Sequence, residues 1–284
     1  MKPKGYKIAI VGLGLMGGSL AFALRGFKDA RIVGADTRPD VCGEAKRRGA
    51  VDEAYADAAP AMEGADLVIF CVYARHIPAI IESSRDVLRP GAVLADICGV
   101  KGGLYKELEG MLPAGTDYIG IHPMAGKERD GFENADPAIF KDTGFIICPL
   151  PSTRPQSIEL MRELAGHIGA TRACVSRADK HDEVIAYTSH LMHLAAAGLC
   201  LDYHGDVVPA FTGGAFRDCT RVANVNAEAW AGLLLDNRQN VLERLDIYME
   251  CLQKLRLCLA EGDEEGLRAL LELAGGNKRE MLSR

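Results

Sequence analysis

Gly12-Leu13-Gly14-Leu15-Met16-Gly17 follows directly on an apolar run, Lys7 to Val11, and opens into Ser19-Leu20-Ala21-Phe22-Ala23-Leu24. This order of strand, glycine turn and helix leaves few folds open. The first glycine permits a tight turn, the second lets a ligand approach the backbone, and the third lets the helix lie on the strand. The helix N-terminus then offers amide donors and a favourable dipole to a phosphate. Asp36 closes the next apolar run, Arg31 to Ala35, about 20 residues beyond the loop, where a carboxylate accepts hydrogen bonds from a ribose diol. The expected dinucleotide contacts are Gly12, Gly14, Leu15, Met16, Gly17, Asp36 and, at the end of a third run, Val72. A carboxylate at 36 repels a 2′-phosphate, so NAD is expected over NADP. Arg38 is the nearby group that argues the other way.

Further short runs follow at Leu67–Val72, Val93–Ile97, Tyr118–Ile121 and Phe145–Cys148, separated by helical stretches. Apolar runs of this length between helices indicate parallel strands covered on both faces. The expected fold class is α/β, a doubly wound Rossmann-type parallel sheet followed by an all-helical C-terminal domain. From Asp179 onward strand-like runs give way to stretches rich in Ala, Leu, Glu and Arg. The Pro-Ser stretch at 149–155 looks like a domain edge, but a helix from Gln156 and a short run Arg172–Val175 still belong to the first unit. We therefore expect a dinucleotide-binding domain over 1–177 and a helical substrate-binding and dimerisation domain over 178–284. Val241, Leu245, Tyr248, Met249, Leu252, Leu255 and Leu259 keep helical spacing and make more apolar surface than a small domain covers. A homodimer is the expected consequence, with a larger internal core as the alternative.

The net charge of −6 argues against a nucleic-acid binder, which needs surplus Lys and Arg. Apolar runs such as Leu67–Tyr73 fall short of the roughly 20 residues that span a bilayer, so no membrane partner is expected. The N-terminus lacks the pattern of a signal peptide, and a cytoplasmic location is expected. The nine cysteines are scattered without a CxxC pair, so neither a zinc site nor a disulfide framework is expected.

At His122-Pro123-Met124-Ala125-Gly126-Lys127-Glu128 a histidine emerges from the end of a strand, where open α/β sheets bind their ligands. Neutral near pH 7, it can take a proton from a hydroxyl. The segment resembles the His-Pro-x-Ala-Gly-x-Glu signature of prephenate dehydrogenases. His181-Asp182, Ser189-His190-Leu191-Met192-His193, Gly213-Gly214-Ala215-Phe216-Arg217-Asp218-Cys219-Thr220-Arg221, Trp230 and Asn237 are similar to the family's helical-domain motifs, in the same order.

The resemblance implies oxidative decarboxylation of prephenate to 4-hydroxyphenylpyruvate by a homodimer using NAD. It implies that His122 accepts the hydrogen bond of the C4 hydroxyl, that Arg221 binds a substrate carboxylate, and that His193 lines the pocket. Glu128, Asp218, Ser189 and Gly214 are supporting substrate contacts on the same basis. Gly99, in Asp96-Ile97-Cys98-Gly99-Val100-Lys101, stands where the family carries a serine that contacts the reacting hydroxyl. A water, the Cys98 thiol or backbone amides are the candidates to fill that gap. Lys127 holds a position that is often Thr or Ser, and its ammonium favours a dianionic substrate, hence prephenate over arogenate.

Simpler readings stand beside these. His193 is also explained as a satisfied core histidine, His190 and Trp230 as packing residues, and His181-Asp182 as a helix start. Arg221 has the spacing for an ion pair with Asp218. His190 and His193 lack companions for a metal set. A β-hydroxyacid dehydrogenase with Lys180 in the catalytic part, and an NAD-sensing regulator without turnover, are the competing functions.

Overall fold

Lys7–Val11 (β1), Arg31–Ala35 (β2), Glu53–Tyr55 (β3), Leu67–Phe70 (β4), Val93–Asp96 (β5), Asp117–Pro123 (β6), Gly144–Pro149 (β7) and Arg172–Val175 (β8) form one sheet in the order 3-2-1-4-5-6-7-8. The computed structural model describes residues 5–127, 129–203, 205 and 209–283. The first six strands are parallel, as the sequence leads one to expect. The last two are reversed: β7 runs antiparallel to β6, and β8 parallel to β7. Between β6 and β7 the chain makes only short 3-10 turns, Phe132–Asn134 and Pro137–Phe140. Without a crossover helix the chain returns antiparallel. The three-residue β3 has no buried side chain, which is why no apolar run marks it.

Alternation along each strand divides the core into two layers. Ile8, Ile10, Leu67, Ile69, Ile119 and Ile121 face one cluster, and Ala9, Val11, Val68, Phe70, Leu94 and Tyr118 the other. The first layer is closed by Leu15–Ala23 (α1), Pro39–Arg47 (α2) and, further on, Pro155–His167. The second is closed by Ala58–Met62 (α3), Ile77–Ser83 (α4) and Gly102–Leu108 (α5). With Pro155–His167 as α6, the sheet is wound on both faces. Each fully buried Ile or Leu contributes about 1.5–3 kcal/mol relative to exposure, so this half is held by its own interior.

Ala178–Ile185 (α7), one π-helical turn Ala186–His190, and Leu191–Leu201 (α8) form one continuous rod. Gly214–Thr220 (α9), Ala227–Asp236 (α10), Arg238–Glu261 (α11) and Glu264–Ser283 (α12) complete the helical part. The rod Ala178–Leu201 is long and apolar enough, by length and composition, to cross a membrane. Counting uninterrupted apolar runs passed over it, because His190 and His193 break them. Of the 24 residues of α11 only Val241 is buried, while Met249, Leu252 and Leu259 are 50%, 46% and 68% exposed.

Candidate active site

The glycine loop leaves β1 at the point where the sheet's winding changes direction, between β2 and β4. Gly12 has φ +92°, and a Cβ there would lie 2.5 Å from the Cys71 carbonyl oxygen. A Cβ on Gly17 would lie 1.8 Å from the Gly12 oxygen, so helix and loop close on each other only through glycine. A Cβ on Gly14 would meet nothing within 4 Å, which leaves the α1 N-terminus, with Leu15 and Met16 in its first turn, open to a ligand. Asp36 is held in place: its Oδ2 accepts from the Leu13 amide at 2.9 Å and its Oδ1 from the Arg38 amide at 3.0 Å. The Arg38 side chain also turns back to Asp36, Nε to Oδ1 3.4 Å. Gly12, Asp36 and Val72 line one cavity of about 540 Å³. These residues fit a dinucleotide: a bare helix N-terminus for phosphate and a fixed carboxylate for a diol.

A second cavity, of about 910 Å³, opens at the same edge of the sheet between β6 and the helical part. Gly99, His122, Lys127, Ser189, His193 and Arg221 all line it. Gly214 and Asp218 do not: both sit on α9, Asp218 exposed, and Arg221 reaches the cavity from the turn that follows that helix. Glu128 lies outside the described residues. Lys180 is not among the lining residues and pairs with Glu183 at 2.9 Å.

His122 is set on β6 by a buried ion pair beneath it. Lys101 Nζ lies 2.6 Å from Asp96 Oδ1 and donates to the Ile121 carbonyl at 2.8 Å, and both side chains are fully buried. Asp96 also accepts from Tyr118 Oη at 2.9 Å and from the Cys98 amide at 2.9 Å. A buried pair satisfied on every side fixes geometry, whereas loss of one partner leaves an uncompensated charge. Burial, then the Lys101 charge, then His181 and His190, hold the His122 imidazole well below its ordinary range, so the ring is neutral at pH 7. Its Nδ1 lies 2.8 Å from His181 Nε2. Among the described residues its Nε2 has no protein partner.

His193 donates from Nδ1 to the Ser189 carbonyl at 3.0 Å and stacks on Trp230 at 3.6 Å between ring centroids. Buried His190 is held low, to about 4, chiefly by burial. Its Nδ1 lies 3.3 Å from Asn237 Nδ2, and its Nε2 has no hydrogen-bond partner among the described residues. Among the described lining residues Lys127, Arg129 and Arg221 are cationic and Asp130 is anionic. The Lys127 ammonium pairs with Asp136 at 2.8 Å, which offsets the charge that the sequence reading assigned to it. Where the family serine stands, a Cβ on Gly99 would come 3.1 Å from Leu233 Cδ1 of α10. Leu233 therefore takes up this space, and the Cys98 thiol points to the Val72 carbonyl, Sγ to O 3.8 Å.

The arrangement joins a dinucleotide cradle to a proton acceptor and a cation-lined cavity. Residues 20–173 match the nucleotide-binding domain of prephenate dehydrogenase and residues 177–273 its dimerization domain. The chain belongs to the prephenate dehydrogenase family. It is 31% identical to a cyclohexadienyl dehydrogenase of Zymomonas mobilis over 92% of this chain and 90% of that protein. A prephenate dehydrogenase from A. aeolicus, solved with hydroxyphenyl propionate and NAD+, superposes with TM-score 0.87 at 27% identity, covering 99% and 100% of the two chains. A Synechocystis arogenate dehydrogenase superposes with TM-score 0.82 at 26% identity, covering 97% and 99%.

Within this prephenate dehydrogenase family member, sequence reasoning undervalued His181 and Asp182, which it took as a helix start. It also gave no role to Arg129 or Asn226, which line the cavity. The one available signal was the His-Asp pair itself. Among the described residues no group of three or more His, Cys, Asp or Glu side chains is placed to hold a metal ion.

Proposed function

We propose that this chain catalyses NAD-dependent oxidative decarboxylation of prephenate to 4-hydroxyphenylpyruvate. The observation that carries the reading is the neutral His122, whose Nε2 has no partner among the described residues and which lines the same cavity as Arg221 and His193, at the sheet edge that holds the glycine loop. NAD, when bound, supplies the hydride acceptor. Gly12, Gly14 and Gly17 would let it approach, the Leu15 and Met16 amides would meet its phosphates, Asp36 would take the ribose diol, and Val72 would border it. His122 Nε2 would accept the C4 hydroxyl proton. Arg221 holds a substrate carboxylate, a task that suits its planar fork. Ser189 orients His193 through its carbonyl. Loss of the ring carboxylate as carbon dioxide aromatises the product and draws the reaction forward.

Two features favour prephenate over arogenate, and NAD over NADP. With Lys127 offset by Asp136, the described lining still carries Arg129 and Arg221 against Asp130, a balance that suits two carboxylates better than a substrate bearing an added ammonium. Arg38 is turned onto Asp36, and the carboxylate repels a 2′-phosphate. The homodimer belongs to the same proposal, with the apolar face of α11 as its surface.

The test is to follow absorbance of the reduced cofactor with protein, NAD and either substrate. A higher kcat/KM for prephenate is expected. A higher value for arogenate overturns the substrate assignment, and no reduction with either overturns the activity.

A further inference from the structure

The His122 imidazole is the first member of a hydrogen-bonded chain that crosses from the sheet to the helical part. His122 Nδ1 lies 2.8 Å from His181 Nε2, and His181 Nδ1 lies 2.7 Å from Asp182 Oδ1. The Asp182 oxygens also receive two backbone amides at the start of α5, from its cap Lys101 to Oδ1 at 2.9 Å and from its first residue Gly102 to Oδ2 at 2.7 Å. The Asn237 side chain donates to the Asp182 carbonyl at 2.8 Å. His181 and Asp182 are both buried, at 2% and 5% exposure.

Hydrogen placement follows from what each group can do. A carboxylate only accepts, so His181 Nδ1 carries the hydrogen of its bond to Asp182. In the uncharged ring Nε2 is then a lone pair. The contact with His122 forms only if His122 Nδ1 carries a hydrogen, which leaves His122 Nε2 as a lone pair. If the chain ran the other way, His122 would present an N–H where the proposed reaction needs an acceptor.

We propose that His181 and Asp182 are positioning residues that hold His122 as the Nδ1–H tautomer and share the charge it acquires. The proposal rests on the reading of His122 as the proton acceptor. In the step, the substrate O–H bond breaks and its proton joins His122 Nε2, with no electrons exchanged between protein groups. The resulting imidazolium keeps its Nδ1–H directed at His181 Nε2. Transfer of that proton places the charge on His181, beside the Asp182 carboxylate. Of the other ionisable groups around the pair, Lys101 is neutralised by Asp96, which also holds Tyr118, and His190 is kept uncharged by burial. Asp182 belongs to α7 and its amide donors to the N-terminus of α5, so the acceptor is correctly oriented only when the two parts are docked.

Long-range 1H–15N correlation of the histidine ring nitrogens in the resting protein, without substrate, reads the tautomers directly. Nδ1–H is expected for both His122 and His181. An Nε2–H His122, or a His181 protonated on both nitrogens, overturns the proposal. Asp182→Asn removes the charge beside His181 and sets its amide N–H against the Lys101 or the Gly102 amide, so Nδ1–H should no longer be fixed on both rings. Its kcat should fall by on the order of a thousandfold, with KM within a few-fold. An Asp182→Asn protein with Nδ1–H still fixed on both rings and unchanged kcat also overturns it. Should that variant fail to fold, the wild-type spectrum decides alone. The spectrum needs no turnover, so an inactive protein with the expected tautomers would sink the proposed reaction and leave the assignment standing. An active protein with inverted tautomers would do the reverse.

Discussion

Strands β1, β4 and β5 are buried almost throughout, whereas of the 24 residues of α11 only Val241 is shielded from solvent in the single chain. The sheet half closes its hydrophobic layers with its own helices. The helical half leaves Met249, Leu252 and Leu259 on its surface, and Leu271 and Leu273 of α12 with them. Exposed apolar side chains on two successive helices are what the proposed homodimer would cover. One half brings its own stability, and the other has its apolar side chains still to cover. The candidate cavity lies where they meet.

The largest effect is expected at that junction. His122→Asn should lower kcat by on the order of a thousandfold or more, no less than Asp182→Asn, and leave the melting temperature nearly unchanged, since the loss is of a proton acceptor and not of packing. Turnover close to wild type would remove His122 from the chemistry. Arg221→Ala, on the helical side of the same cavity, should chiefly raise KM, by roughly tenfold or more, if it holds a substrate carboxylate.

The contrast between the halves is broken most directly on α11. Leu252→Asp with Leu259→Asp should halve the particle mass seen by light scattering, and the melting temperature should depend on concentration in the wild type but not in the variant. Val175→Ser, at a 42% exposed position in the sheet half, should change stability by no more than about 0.5 kcal/mol. Equal responses at the two places would remove the distinction.

Acid should find the junction next. His190 is held at about 4 in the folded protein, against 6.5 when unfolded, and His122 is held low as well. Between those values the unfolded chain binds more protons. The contribution is therefore complete above pH 6.5 and is lost as pH falls from 6.5 through about 4. Urea titrations across that window should show the decline, and His190→Gln should flatten it.

The smallest effect is expected at Gly99. Restoring the family serine should cost about 1 kcal/mol, because its Cβ meets Leu233. Leu233→Ala should relieve that cost, so that the two changes together destabilise less than their sum in a double-mutant cycle. Strict additivity would show that Leu233 is not the obstacle.

The same contrast separates what the sequence reveals from what it conceals. The glycine loop and Asp36 are legible because turn, phosphate site and ribose acceptor are encoded in one short βαβ stretch with fixed spacing. The reversal of β7 is not, because direction depends on what the connection lacks. Lys127 was read as a charge for substrate, but Asp136 reaches it through a turn that no local pattern announces. The space beside Gly99 is taken by Leu233, far away in the chain. His181 and Asp182 were visible as a pair, yet their link to His122 exists only once α7 is laid against the N-terminus of α5.

The π turn at Ala186–His190 sets the phase of everything beyond it. Rewinding it as plain α-helix with every residue kept would rotate α8 by roughly a quarter turn relative to α7, because the wider turn absorbs about one extra residue. His193 would leave the face it shares with Trp230 while His181 stayed beside His122. The cavity-facing surface of the rod is thus fixed by how this one turn is wound, a dependence that no substitution at the surface itself would reveal.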